Sequence, residues 1–126
     1  RETEAALLYN RLASKFPGSY RHHLFAEIAN EEANHKEIFT DPSMKIIQPG
    51  DDFVIENYFV ELGLTSDMGL AEILILTMEK EKVAFKLYYD LRKFAQNRST
   101  KDKLLWLSEQ EARHKVLLEL EYDKLP

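Results

Sequence analysis

The chain has 126 residues, of which 44% are hydrophobic and 31% are charged, and its formal net charge is −5. This length suits one domain spanning residues 1–126, and the acidic balance argues against a nucleic-acid partner. The absence of cysteine excludes disulfides, thiolate metal sites and a cysteine nucleophile. The sequence has no stretch of about 18 apolar residues and no signal pattern, so we expect a cytoplasmic protein without a membrane span.

Two helices are predicted in the first forty residues. The first runs from Glu2 to about Phe16, because its apolar residues follow the three-four spacing of an amphipathic helix. A Pro-Gly pair ends it, and Ser19 is expected to cap a second helix that continues to about Phe39. Glu32 and His35 fall on the inner stripe of this second helix, where the period would otherwise place Leu or Ile.

Residues 41–66 are predicted to form a long connection, with a short amphipathic helix at residues 53–62 that Gly63 closes. A connection of this length is unusual between neighbouring antiparallel helices but suits a crossover between two parallel ones. The aromatic residues of the short helix either cap the end of a helical bundle or form a dimer surface.

The third helix is expected to begin at a cap formed by Ser66 or Asp67 and to reach about Ala95. Its run Ile73-Leu74-Ile75-Leu76 is apolar on all sides, so we expect this helix to be the most buried.

A fourth helix is predicted from about Thr100 to Tyr122, with Glu121 on its inner side and Trp106 at its flank. Asn97 lies 79 positions after Gly18. Both residue types tolerate the left-handed conformation that ends helices, so we expect the two to play the same part in the two halves.

Each half of the chain contains a Glu followed three residues later by a His. These pairs are Glu32 with His35 and Glu111 with His114, and they stand 79 positions apart. On an α-helix this spacing brings both side chains to one face, where a carboxylate oxygen and an imidazole nitrogen can hold one ion together.

The same offset of 79 carries Glu2 onto Glu81 and Tyr9 onto Tyr88. An internal repeat of this kind predicts two helical hairpins related by pseudo-symmetry. Each hairpin then supplies one Glu from its first helix and a Glu-His pair from its second. Together they offer four carboxylates and two imidazoles.

This set of residues resembles the rubrerythrin branch of the ferritin-like superfamily, and the likeness covers the chain apart from the connection between the hairpins. The resemblance implies an all-α, ferritin-like four-helix bundle whose facing helices project the ligands inward. It also implies two bound iron ions, with manganese or zinc as alternatives. The implied metal ligands are Glu2, Glu32, His35, Glu81, Glu111 and His114.

Charge balance favours a pair of ions, because four ionised Glu carry −4 and two divalent ions carry +4. Glu32 and Glu111 are the candidates for bridging both ions, and Glu2 and Glu81 for binding one ion each. The hydroxyls of Tyr9 and Tyr88 either hydrogen-bond the metal ligands or belong to ordinary core aromatics.

In ferritin-like proteins such an iron pair reacts with dioxygen or peroxide, so the resemblance implies a di-iron oxidoreductase. Because the chain lacks the cysteines of a rubredoxin module, it needs an external electron donor. We also expect a homodimer or a higher oligomer. Rubrerythrins have a further Glu three residues after the third-helix ligand, where this chain has Ala84. That departure favours ferroxidase or oxidase activity over peroxide reduction by the rubrerythrin mechanism.

Two other functions remain open. One is iron delivery or sensing without turnover, and the other is a metal-free helical bundle that serves protein contacts. Aerobic addition of Fe(II) separates these alternatives from an oxidase, because only the oxidase would oxidise the iron faster than buffer does.

Several charged residues near the candidate ligands have simpler interpretations. Glu4 and Glu79 compete with Glu2 and Glu81 for the role of ligand. His22 and His23 lack a Glu three residues before them and are expected at the surface. Three lysines alternate with acids and indicate a mixed solvated surface beside one inward acid; they are Lys80, Lys82 and Lys86.

Overall fold

The computed structural model describes residues 2–46 and 68–126, which form four α-helices. The helices are α1 (Glu2–Ser14), α2 (Tyr20–Thr40), α3 (Leu70–Leu91) and α4 (Arg98–Asp123). A 3₁₀ turn, Arg92–Phe94, follows α3. In these two ranges the only extended pairing is an isolated bridge between Ile46 and Ala95. The predicted all-α fold is confirmed. The predicted crossover helix and the caps Ser66 and Asp67 lie outside the described residues.

The chain divides into two compact units, Arg1–Met44 and Lys45–Pro126. In the first unit α1 packs against α2, and in the second α3 packs against α4. The two helical hairpins that the internal repeat predicts are therefore present. The single domain spanning 1–126 stays a prediction.

The turn between α1 and α2 depends on Gly18, whose φ of 76° lies in the left-handed region that favours glycine. Ser19 holds the N-cap position of α2, but its hydroxyl donates to the carbonyl of Phe16 at 3.0 Å instead of capping the helix. His22 is half-buried, with Nδ1 at 2.9 Å from the carbonyl oxygen of Ala13. This contact links α2 back to α1 and partly covers His22 at the surface, whereas His23 is exposed, as predicted.

The connection between the two helices of the second hairpin differs from that of the first. The 3₁₀ turn follows directly after Leu91, and α3 is shorter at both ends than predicted, with Gly69 in place of the expected cap. Asn97 has a φ of −147° and begins α4, and its side chain accepts a hydrogen bond from the amide of Thr100 at 2.8 Å. The prediction that Asn97 takes a left-handed conformation is wrong, because the Asn side chain is also a favourable N-cap.

The prediction that α3 is the most buried helix is not supported, because α4 has the larger share of buried residues and part of the apolar run of α3 is exposed. Ile73 and Leu74 are buried, whereas Ile75 is 49% exposed. Four consecutive residues point to all sides of a helix, and α4 packs against one of these sides, so part of the run lies outside that contact. Trp106 is exposed at the flank of α4, as predicted. Among the described helices, none combines the length and apolar character needed to span a membrane.

Candidate metal centre

The second hairpin brings one acid from α3 beside an acid and an imidazole from α4. Glu81, Glu111 and His114 are each fully buried, and each offers a ligand atom within 4.8 Å of the others. Nδ1 of His114 lies 3.5 Å from Oε2 of Glu81 and 3.9 Å from Oε1 of Glu111. One ion about 2.1 Å from each ligand atom keeps those atoms roughly 3 to 4 Å apart. The spacing of these three residues therefore fits a metal ion.

Helical periodicity places these polar groups in the interior. On α3, Glu81 follows Leu74 and Thr77 along one buried stripe. On α4, the buried stripe has the three-four spacing, with Glu111 and His114 between apolar residues; its members are Leu104, Leu107, Glu111, His114 and Leu118. Burying charged groups among apolar ones costs free energy unless they are paired or bind a metal. Their burial therefore calls for a counter-charge.

The pKa of Glu81 reflects the charged and polar groups around its carboxylate. Burial raises this pKa, but hydrogen bonds to Glu111 and His114 and the nearby positive charge of Lys80 outweigh burial and lower it from 4.5 to about 2. Positive charge close to Glu81 therefore favours its ionised form, and a divalent ion bound there would favour the same form.

We expect Glu81 to make the metal-free protein more sensitive to acid than a Glu81→Gln variant. The folded pKa of about 2 lies below the ordinary 4.5, so ionised Glu81 contributes stability above about pH 4.5 that is lost as the pH falls towards 2. Between about pH 5 and pH 3, the wild type should lose about 2 kcal/mol of unfolding free energy relative to the variant. Urea unfolding of both proteins at the two pH values measures this change. An unchanged difference would contradict an ionised Glu81.

The first hairpin repeats the arrangement within α2. Glu32 and His35 are fully buried, and Nδ1 of His35 lies 3.7 Å from Oε2 of Glu32. The matching distance within α4, from His114 to Glu111, is 3.9 Å. Both Glu-His pairs therefore turn the same imidazole nitrogen towards the carboxylate one helical turn earlier. This likeness extends the internal repeat from the sequence to the side chains.

The remaining predicted site residues fall into two groups. Glu2 begins α1, but its side chain, like that of Glu4, is outside the part of the chain whose side chains are described. Tyr9 and Tyr88 are buried, as either of their two interpretations requires. Glu79 is exposed whereas Glu81 is buried. The convergence of all six ligands and the role of the two tyrosines stay predictions.

The sequence interpretation missed Lys80. Its side chain is only 18% exposed, and Nζ lies 3.9 Å from Oε1 of Glu81. The prediction that Lys80 lies on a fully solvated surface is therefore wrong. Lys82 and Lys86 are exposed, as predicted. The one available signal is its position directly before the inward acid, because a long side chain at the flank of a helix can fold back over the buried face.

A second buried acid lies further along α4. Glu121 is on the inner side, as predicted, and its Oε2 lies 3.0 Å from Nζ of Lys124. The lysine supplies the positive charge that a buried carboxylate needs. The geometry of Glu121 is therefore explained without a metal.

Comparison with known proteins gives one match. A family model described as Rubrerythrin matches residues 1–122. No curated protein and no solved structure gives a significant match to the chain. The matched range includes both Glu-His pairs and all of α1, α2 and α3.

Proposed function

Because this chain belongs to the rubrerythrin family, we propose that it is a non-haem di-iron protein that oxidises Fe(II), with dioxygen or peroxide as oxidant. The observation that carries the proposal is that three buried side chains of the second hairpin have ligand atoms within 4.8 Å of one another. They are Glu81, Glu111 and His114. Two carboxylates and an imidazole suit Fe(II), and they also suit Mn(II) or Zn(II). Family membership favours iron among these ions.

We assign the ligands by the internal repeat. Glu111 with His114 and Glu32 with His35 each provide a carboxylate and an imidazole one turn apart on a buried helix face. Glu81 provides the further carboxylate of the second hairpin, and its counterpart at the offset of 79 is Glu2. Under this proposal each imidazole would help to hold one ion, and Glu32 and Glu111 would be among the carboxylates that hold the pair.

The chain contributes position and charge to this chemistry. When bound, two adjacent irons supply two electrons together, which is what the reduction of dioxygen to peroxide or of peroxide to water requires. Four carboxylates would neutralise two divalent ions, and the burial of Glu32, Glu81 and Glu111 excludes water that would compete for the same positions. His114 lies within 4 Å of both acids of its hairpin. It is therefore placed to hold them in a fixed arrangement.

Ala84 favours oxidation of iron over rubrerythrin-type peroxide reduction. It lies one turn after Glu81 on α3, and its half-buried methyl group offers no carboxylate that could exchange with a ligand. The rubrerythrin mechanism uses a Glu at that position. We therefore propose dioxygen-dependent or peroxide-dependent Fe(II) oxidation, with the external electron donor reducing the iron again.

Aerobic addition of Fe(II) to metal-free protein tests the proposal. We expect oxidation faster than in buffer alone, followed by the near-ultraviolet absorbance of ferric protein in stopped-flow measurements. The exposed Glu109 lies on the same helix as Glu111, so a Glu109→Ala variant is the matched control and should oxidise iron at the wild-type rate. Iron binding without oxidation would indicate delivery or sensing, and no binding would indicate a metal-free bundle. Either result overturns the proposal.

A further inference from the structure

A positive side chain lies against the candidate metal centre of the second hairpin. Nζ of Lys80 is 3.9 Å from Oε1 of Glu81, and the Lys80 side chain is 18% exposed. On the other side of the same carboxylate, Oε2 is 3.5 Å from Nδ1 of His114. The two oxygens of Glu81 therefore face an ammonium group and an imidazole, and the second of these groups is a proposed metal ligand.

The charges around Glu81 are balanced differently with and without a metal ion. In the second hairpin, the ammonium group of Lys80 lies 3.9 Å from Oε1 of Glu81 and stabilises its ionised form. A divalent ion bound by Glu81 would face the same ammonium group at short range. Two positive charges a few ångströms apart repel each other strongly where the surroundings exclude water. The ion and the ammonium group therefore compete for one carboxylate.

We propose that Lys80 is an internal competitor for the metal at Glu81. Its ammonium group neutralises the acid while the site is empty and is displaced towards solvent when a divalent cation binds, so it lowers the affinity of the second hairpin for metal. The side chain can make this movement because it is partly exposed and its four-carbon stem is flexible. The inference rests on the proposed metal-binding function and identifies a residue that adjusts it.

The internal repeat gives independent support from the sequence. The offset of 79 that relates Glu2 to Glu81 also relates Arg1 to Lys80. A basic residue therefore directly precedes the first-helix acid in both halves, as expected if each such acid has its own counter-charge.

Titration of metal-free protein with Co(II) tests the inference, because the visible absorption of this ion reports binding to buried oxygen and nitrogen ligands. A Lys80→Met variant removes the charge but keeps an apolar stem. We expect it to bind Co(II) about tenfold more tightly than the wild type, given the repulsion at this distance and the partial exposure of the ammonium group. We also expect a lower urea midpoint for its metal-free form, because Glu81 loses a counter-charge.

Two further variants give this test its controls. Lys80→Arg keeps the charge and should retain the wild-type affinity and midpoint. Lys82→Met removes an exposed charge two residues away on α3 and should change neither. A purely structural role for Lys80 would lower the stability of both the metal-free and the metal-bound form and leave the affinity unchanged.

The outcomes separate this inference from the proposed function. Wild-type affinity, or weaker binding, in Lys80→Met overturns the competition while leaving the metal site intact. A wild-type protein that shows no Co(II) binding overturns the proposed function, and the inference fails with it. Tighter binding together with a less stable metal-free form supports the inference and the metal site on which it rests.

Discussion

A variant in which Glu32 and Glu111 are both replaced by Ala is expected to lose its bound metal, from about two ions per chain to none. Each substitution removes a buried carboxylate beside an imidazole on the same helix face. Both acids are proposed ligands of the ion pair, so the variant would lack a complete set of ligands for either ion. Elemental analysis of protein purified without chelator measures the loss. The rate of Fe(II) oxidation should fall to that of buffer in the same variant.

The control for this experiment uses acids on the same two helices that face water. Glu37 on α2 and Glu109 on α4 are exposed, so replacing both by Ala removes the same number of carboxylates without touching the buried stripes. This control should keep its metal and its activity. Circular dichroism should show that the helices persist in both double variants. Full metal occupancy in the Glu32, Glu111 variant would contradict the assignment of the ligands.

The second large effect expected is on thermal stability. Saturating the metal-free protein with a divalent ion at about a hundred times the dissociation constant should contribute roughly 2.7 kcal/mol per site, because only the folded form holds the ligands together. Two sites then contribute about 5 kcal/mol, which for a chain of this size corresponds to a rise in Tm of about 20 °C. Scanning calorimetry with and without Mn(II), which is not oxidised under these conditions, measures the shift.

The same calorimetry distinguishes specific binding from general screening of acidic charge. The variant lacking Glu32 and Glu111 should show almost no shift with Mn(II). A monovalent salt at matched ionic strength should have little effect on the wild type, because buried charges are weakly screened. Equal Tm values with and without Mn(II) in the wild type would favour the metal-free bundle that the sequence left open.

The buried charges themselves argue against a metal-free scaffold. Glu81, Glu111 and His114 occupy interior positions where apolar side chains of similar size would be at least as stable. The ammonium group of Lys80, with Nζ 3.9 Å from Oε1 of Glu81, supplies one positive charge against these acids. This arrangement keeps two carboxylates available in the interior, which a bundle used only for protein contacts does not need.

The sequence by itself determined the helices and the inward faces of the ligand pairs. The three-four spacing of apolar residues predicts α1, α2 and α4 to within about two residues at each end. Glu32 with His35 and Glu111 with His114 fall on those inner stripes, and both pairs are buried. These features are local, because helical geometry alone decides which residues share a face. The offset of 79 then relates the two halves without any knowledge of their packing.

Only the tertiary structure decided how individual side chains use that framework. Lys80 folds back to Glu81, Asn97 caps α4 instead of ending a helix, and Ile75 remains exposed within an apolar run. In each case the residue type permits more than one arrangement. A flexible lysine can reach water or a buried acid, an Asn can end or begin a helix, and an apolar residue is buried only where a neighbour covers it. The geometry of the turn and the contacts made within a hairpin select among these arrangements, and the pattern of apolar residues does not contain that information.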